Sequence, residues 1–494
     1  MLLSLNKKRK LSASAVPGVL LSNPDADTYE VLQAVIGLAG ESEDSLAQRM
    51  ALAHGHELRY VAPWGQWFLW NGRCWERDNT LKAVHLARQI CHDVAVELTA
   101  SGELDDKKLP AVVRALKSAK TIYAVTNLAR ADRRLAASIQ QWDANACRLN
   151  TPSGEVCLRT GALLPSDPES YHTKITAVAP SGDSCPTWLK FLDRVTGGDA
   201  ELMAYLQRVC GYALVGEVLE HALVFLYGTG GNGKSVFTNT VSGILGSYAQ
   251  AAPMTTFAES AGNQHPTDLA MLRGARLVTA AETEEGQRWA AAKIKLLTGG
   301  DVVAARFMRQ DFFEFKPQFT LVISGNHKPG LRSVDEAMRR RLHLVPFTQT
   351  IPVEERDPNL PAALKAEWPA ILQWMVEGCL AWRAGGLKPP PVVANATEDY
   401  LGDEDVMGQW LEEATEPAFD AFETTTALHD DYRAWAERTG ERFLGTKRFS
   451  QALEERGLLR HRKGIGKGFT GLRLKSSSQR PWSRAKQVSI DETE

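Results

Sequence analysis

Apolar residues along this chain follow two periods. Three runs read as short buried strands: His221-Ala222-Leu223-Val224-Phe225-Leu226-Tyr227, Leu277-Val278-Thr279-Ala280-Ala281 and Phe319-Thr320-Leu321-Val322-Ile323-Ser324-Gly325. Continuous apolar runs of this length, closed by glycine or acid, fit strands covered on both faces. Residues 186–215 carry helical spacing and lead to the first of them as an amphipathic helix. Nearer the N-terminus, Arg59-Tyr60-Val61 and Trp67–Trp70 precede Asn71-Gly72, a favoured hairpin turn, with Cys74-Trp75 returning. The aromatics Trp64, Trp67, Trp70 and Trp75 could stack bases, but alternation about a turn favours cross-strand packing. A second hairpin is expected from Glu155–Leu158 and Gly161–Leu164.

Past Gly385-Gly386 the prolines Pro389, Pro390 and Pro391 forbid helix and predict a linker. Beyond it Leu428, Tyr432 and Trp435 share one helix face; Thr446 is expected to cap a second helix running through Phe449 and Leu453 to a stop at Gly457. A glycine-rich basic hairpin follows over 459–469. Helix, helix and basic wing outline a winged helix. The expected organisation is a tail with a short helix over 1–40, a mixed α+β region over 41–190, an α/β core over 191–385, a linker over 386–420, a winged helix over 421–475 and a disordered tail over 476–494.

Composition narrows the class. With 494 residues, 44% apolar and 23% charged, the chain is ordinary for globular protein and long enough for several domains. A net charge of −2 offers no global attraction for nucleic acid, so any such surface is local. One exists: residues 442–486 hold 13 Lys and Arg against Glu454 and Glu455. Lys447, Arg448, Arg460, Arg462, Lys463 and Lys467 are the candidate DNA contacts there. The 7 cysteines show no C-x-x-C spacing, which argues against a zinc ribbon or disulfide framework and for a reducing cytoplasm. No apolar run reaches membrane-spanning length, so no membrane partner is expected.

The strongest chemical signal follows the first strand: Gly228-Thr229-Gly230-Gly231-Asn232-Gly233-Lys234-Ser235. Such a turn, opening a helix after a buried strand, wraps backbone N–H groups round a phosphate; Lys234 neutralises the β/γ charge and the Ser235 hydroxyl reaches Mg2+. ATP and Mg2+ are the expected ligands. The second strand ends in Glu282-Thr283-Glu284-Glu285, placing an acid where it can hold the metal through water and polarise the attacking water. Glu282 is the first choice and Glu284 the second. The third strand ends at Asn326, an amide able to sense the γ-phosphate. Arg340 or Arg341, some fourteen residues on, can offer a guanidinium fork to a neighbouring subunit's phosphoryl group. Between the second and third strands, residues 302–317 read as a hairpin with its turn near Arg309; its basic residues are candidates for DNA phosphates.

The ordered set GTGGNGKS, LVTAAETEEG, IKLLTGGDVVAARFMRQDFFEFKP, ISGNHKP and DEAMRRRLHLVPF resembles the superfamily 3 helicases, and within them the helicase portion of phage and plasmid primase-helicases, relatives of the poxvirus-type NTPase. The stretch LNTPSGEVCLRTGALLP with FLDRVTGGDAELMAYLQRVCGYALVG, and TKRFSQALEERG, are similar to that family's regions before the motor and in its C-terminal winged helix. The resemblance, over about 45–475, implies an α/β P-loop core of AAA+ type working as a homo-oligomeric ring, expected to be a hexamer, on single- and double-stranded DNA in a bacterial host's cytoplasm. It also implies Lys295, Arg306, Arg309 and Lys316 as DNA contacts. Longer members carry a primase domain ahead of this region, which forty residues cannot hold, so a separate primase is an expected partner. Cys157 departs from the acid often found in relatives. A different class, an origin-binding initiator or loader ATPase with little unwinding, is the alternative reading.

Overall fold

The computed structural model describes residues 42–102, 106–259, 267–281, 286–309, 311–331 and 334–476. The expected tail over 1–40 and residues 477–494 of the expected C-terminal tail lie outside them. The chain divides into two compact units at Trp142/Asp143. In the first, α1 (Glu43–His54) is capped by Ser42, which accepts from Ser45 N. Strands β1 (Leu58–Val61), β2 (Gln66–Trp70) and β3 (Trp75–Arg77) form an antiparallel meander, covered by α2 (Lys82–Ser101), α3 (Leu109–Leu116) and α4 (Ala119–Ala129). Trp70 faces Trp75 across the Asn71-Gly72 turn. Trp67 and Trp75 are buried, Trp70 packs across the strands on Trp75 at 5.6 Å and Trp142 on Phe68 at 4.5 Å, so cross-strand packing holds, with Trp64 and Trp70 only partly buried.

In the second unit, β4 (Arg148–Thr151), β5 (Gly154–Cys157) and β6 (Leu163–Leu164) make a small antiparallel sheet containing the expected second hairpin. Residues 186–215 are two helices rather than one, α5 (Pro186–Thr196) and α6 (Ala200–Tyr212). Gly197, in the left-handed region, stops the first and Asp199 caps the second by accepting from Leu202 N. The central sheet has five strands, β7 (Leu223–Tyr227), β8 (Ala249–Ala251), β9 (Leu277–Ala281), β12 (Thr320–Gly325) and β13 (Leu342–Pro346), in the order β13-β7-β12-β9-β8. Every pairing in it is parallel. The three strands foreseen from sequence occupy its centre, where both faces must be apolar. Helix α7 (Lys234–Leu245) follows β7; α8 (Ala291–Gly299) and the hairpin β10 (Val303–Ala305) with β11 (Phe313–Phe315) lie between β9 and β12; α9 (Glu336–Arg339) precedes β13.

The stretch expected as a linker is structured. After α10 (Leu360–Ala366) and α11 (Trp368–Gly385), the prolines start a helix instead of preventing one: Pro390 is the N-cap and Pro391 the first residue of α12 (Pro391–Glu404). There the missing N–H costs nothing and the fixed φ is already helical. Helix α12 packs on β13, its Thr397 hydroxyl accepting from Leu344 N. Helix α13 (Val406–Ala414) then belongs to the C-terminal module with β14 (Thr415–Thr424), α14 (Thr425–Thr439), α15 (Thr446–Glu455), β15 (Arg460–Lys463) and β16 (Gly466–Leu474), whose core holds Trp410, Tyr432, Trp435, Phe449, Leu453 and Phe469. Burying Phe449 alone contributes about 2–3 kcal/mol. Gly445, not Thr446, is the N-cap of α15.

The early unit boundary has a physical cause at Arg276, beside β9. This guanidinium is 1% exposed, stacks 4.5 Å over Tyr248, and donates to the carbonyls of Leu214 (2.5 Å), Arg148 (2.6 Å) and Asn145 (3.4 Å). It ties the β4–β6 sheet and the end of α6 to the strand expected to carry the acid, so residues 143–190 join the second unit rather than the first. Arg276→Leu leaves these carbonyls unpaired and is expected to lower stability by about 3 kcal/mol, read from the denaturation midpoint. Arg276→Lys, which cannot fork to three acceptors, should recover part of it.

His343 of β13 is partly buried and shares a 2.6 Å hydrogen bond with Tyr205 of α6; desolvation pulls its pKa down to about 4. The unfolded chain binds this proton first, near its ordinary value of about 6.5, so stability is complete above that pH and falls as pH drops toward about 4. The loss is on the order of 3 kcal/mol, and His343→Gln should flatten the slope in pH-dependent denaturation.

Candidate functional site

Residues Gly228–Gly233 connect β7 to α7. Gly233 is the N-cap with φ +83, and a Cβ there would meet Val195 Cγ1 at 2.6 Å and Phe191 Cε2 at 2.9 Å. Left-handed backbone and lack of room both demand glycine. With Gly233 in place, Lys234 opens the helix and folds back into the loop it leaves. Its ammonium donates to Gly228 O (2.7 Å), Asn326 Oδ1 (3.1 Å) and Asn232 Oδ1 (3.4 Å). Burial lowers its pKa. All three partners are neutral, so among the described residues this half-caged cation has no carboxylate and is ready for an anion. Ser235, next along, is exposed, as are Thr229 and Gly231; Asn232 is buried.

Strand register brings the rest together. Gly325 pairs with Tyr227, so Asn326 at the tip of β12 stands level with Gly228, which is how it reaches Lys234. On the other side Ser324 pairs with Ala281, the last residue of β9. Glu282 and Glu284, which follow, lie outside the described residues.

The two candidate arginines part company. Arg341 is buried and spent on the scaffold, its Nε donating to Thr298 Oγ1 (3.2 Å) and its Nη1 to Ala337 O (2.8 Å). In this structure it is turned toward the scaffold rather than left free, as befits a residue directly before a buried strand. Arg340 is exposed, with no side-chain hydrogen bond or ion pair among the described residues. Leu342 pairs with Leu223, so Arg340 lies at the opposite strand end from the glycine loop, roughly 13 Å away along β7.

Lys295 is ion-paired with Asp335, the N-cap of α9. Burial raises the Asp335 pKa, but hydrogen bonds from Lys295 and the Met338 N–H outweigh it and hold the carboxyl below its usual range. Lys295 thus ties α8 to α9. The expected hairpin is present, Val303 pairing with Phe315, and its basic residues Arg306, Arg309 and Lys316 are exposed. Arg309, φ +61, sits at the turn. Arg306 lies over Phe312 at 4.8 Å, and Met308 and Phe312 are exposed beside it.

In the C-terminal module the sheet order is β14-β16-β15. All of Arg460–Lys463 is exposed, and Arg462 faces Lys467 directly across the hairpin. Like charges opposed on paired strands destabilise the pair, which argues for an anionic partner. Lys447 and Arg448 are exposed on α15, whose buried face is Phe449, Ser450 and Leu453.

Sequence reading missed the segment after β13. Ile351 N donates to Gly231 O at 2.9 Å, and Asn232 Nδ2 reaches Thr350 Oγ1 at 3.5 Å. More than a hundred residues separate these partners, and only the β13–β7 pairing brings them together. Among the described residues no cluster of three or more His, Cys, Asp or Glu could hold a metal, and no helix is long and apolar enough to cross a membrane.

Residues 47–197 match the family described as D5 N terminal like, and residues 226–341 match the Family of unknown function (DUF5906). The chain is 27% identical over 253 residues to "Putative helicase 022R" of Frog virus 3 (isolate Goorha), covering 47% of this chain and 26% of that protein. It is 28% identical over 151 residues to "Putative helicase L207/L206" of Acanthamoeba polyphaga mimivirus, covering 30% of this chain and 16% of that one. It therefore spans about a quarter or less of these curated relatives. The solved apo structure of the NrS-1 C-terminal region aligns at 9% identity and TM-score 0.48, over 87% of this chain and 99% of that one. By its D5 N terminal like region and its similarity to viral proteins named putative helicases, the chain resembles the D5-type primase-helicases of phages and viruses.

Proposed function

We propose that the chain is the motor of a DNA helicase of superfamily 3 type, hydrolysing ATP as a homo-oligomeric ring, a hexamer, in phage or plasmid replication within the cytoplasm of a bacterial host. The observation that carries this is the Lys234 ammonium, held by Gly228 O and Asn326 Oδ1 with no counter-charge among the described residues. A buried cation with neutral partners gains most from an arriving phosphate. In this reading Gly228–Gly233 is a P-loop whose backbone N–H groups take the phosphates. Lys234 exchanges a neutral acceptor for a γ-phosphate oxygen, and Asn326, already on Lys234, registers that exchange. Mg2+, held through Ser235 and by way of water on Glu282, neutralises phosphate oxygens when bound. Glu282, with Glu284 as second choice, orients the attacking water.

Arg340 acts on a neighbouring subunit's nucleotide; its distance from its own loop and its free guanidinium support an action in trans. Hydrolysis is coupled to single-stranded DNA through Arg306, Arg309 and Lys316. Lys295, tied to Asp335, serves that coupling from below the hairpin. The C-terminal module is a winged helix on duplex DNA, with Lys447 and Arg448 on its second helix and Arg460, Arg462, Lys463 and Lys467 on its wing. A separate primase is a proposed partner. The opposed Arg462 and Lys467 also suit an initiator or loader ATPase, and unwinding of a forked substrate separates the two readings.

Lys234→Ala is expected to reduce ATP hydrolysis by at least about a hundredfold in a phosphate-release assay, since it removes the buried charged donor. Arg340→Ala should keep the wild-type melting point and lose turnover by on the order of a thousandfold, whereas Arg341→Ala should lower the melting point. Mixing Arg340→Ala with Lys234→Ala subunits should restore part of the activity; no restoration under subunit exchange would count against a shared site.

Neutralising Arg460, Arg462, Lys463 and Lys467 together in the full chain should reduce the salt dependence of duplex DNA binding by about three to four units of log–log slope, read by anisotropy across a salt series. An unchanged slope would leave the module a protein-docking unit.

A further inference from the structure

The segment following β13 carries a second cation to the glycine loop. Gly231 has φ +65, and the Arg356 guanidinium occupies the space its side chain would take: Nη2 overlaps the Cβ position and Cζ lies 3.3 Å from it. A tether and a peg hold it there. Ile351 N donates to Gly231 O at 2.9 Å, and Arg356 Nε donates to Ile351 O at 3.0 Å. With Nε used, the two Nη groups are left without a hydrogen bond or ion pair among the described residues. Glu355 pairs with Arg194 at 2.6 Å and Asp357 Oδ1 accepts from Asn359 N, and neither of them nor Glu354 pairs with Arg356 among the described residues. Arg356 itself stays exposed, free to swing over the loop.

An arginine that only decorated the surface would gain by pairing with its acidic neighbours. This one instead rests its fork on the backbone of the loop proposed to hold the phosphates, and Gly231 leaves the space for it. We propose that Arg356 is a nucleotide-contacting residue acting in cis, its free Nη groups binding the phosphate chain held by Gly228–Ser235 of the same subunit. Lys234 approaches those phosphates from inside the loop and Arg356 from its outer rim. The proposal rests on the nucleotide reading of the loop.

It is tested in the full chain by fluorescence titration with mant-ATP, mant-ADP and mant-AMP, alongside thermal melting. Arg356→Ala should melt as wild type and bind mant-ATP and mant-ADP about ten- to a hundredfold more weakly, the worth of a charge-assisted hydrogen bond. Mant-AMP binding should change least. Arg356→Lys, which keeps the charge, should recover much of the loss; Arg356→Gln, which keeps a donor for Ile351 O but no charge, should not. Wild-type affinity in Arg356→Ala overturns the proposal. So does recovery by Gln without recovery by Lys, which would make Arg356 a peg for the loop. If the wild type binds none of the three nucleotides and Lys234→Ala changes nothing, the nucleotide reading itself fails and this inference falls with it.

Discussion

The site depends on a positive charge in a buried place with only neutral company. Lys234 cannot leave, because Gly233 fixes the start of α7 and Phe191 and Val195 close the space behind it. Nor is it neutralised, because Gly228 O, Asn232 Oδ1 and Asn326 Oδ1 are dipoles rather than charges. Burial already works against its protonated form. An anion would reverse that penalty, which is the physical basis of the phosphate-binding role proposed for it. Because Asn326 belongs to a different strand, its bond to Lys234 joins the glycine loop to the tip of β12.

Arg276 solves the opposite problem. It too is a buried cation, but three carbonyls take its Nη groups and the face of Tyr248 covers it, leaving only Nε without a hydrogen bond among the described residues. Its role is to hold the start of β9 against the β4–β6 sheet and the end of α6, so the tip of β9 stays level with β12. One buried cation has only three side-chain and backbone dipoles for company, and the other has a stacked ring and three carbonyls from distant segments. The same contrast divides Arg340 from Arg341, adjacent in sequence, where the second is spent on Thr298 and Ala337 and the first is left free.

Charge left unpaired recurs at the surfaces proposed for DNA. The hairpin tip keeps Arg306 and Arg309 exposed beside Met308 and Phe312, and the β15–β16 hairpin opposes Arg462 to Lys467. Both arrangements cost the isolated protein stability, through apolar exposure in one and like-charge repulsion in the other. Lys295, by contrast, has its counter-ion in Asp335, which ties α8 to α9.

The central strands, the glycine loop, the hairpins and the helices of the C-terminal module were legible in the sequence because each is specified locally, by apolar periodicity or by a turn that only glycine can make. Three features were not. The proline run read as a linker, but Pro391 is a first-turn residue of α12, whose helix is paid for by packing on β13, a contact local pattern cannot show. The division at Trp142/Asp143 follows from Arg276 reaching carbonyls more than sixty residues away. The choice between Arg340 and Arg341, and the arrival of Arg356 at Gly231, were fixed by strand order, since β13 lies beside β7 and delivers its exit to the loop. Sequence alone determined which residue types were present for the proposed phosphate chemistry and in what order. Tertiary structure decided which of them were left without a partner, because pairing is a property of neighbours in space.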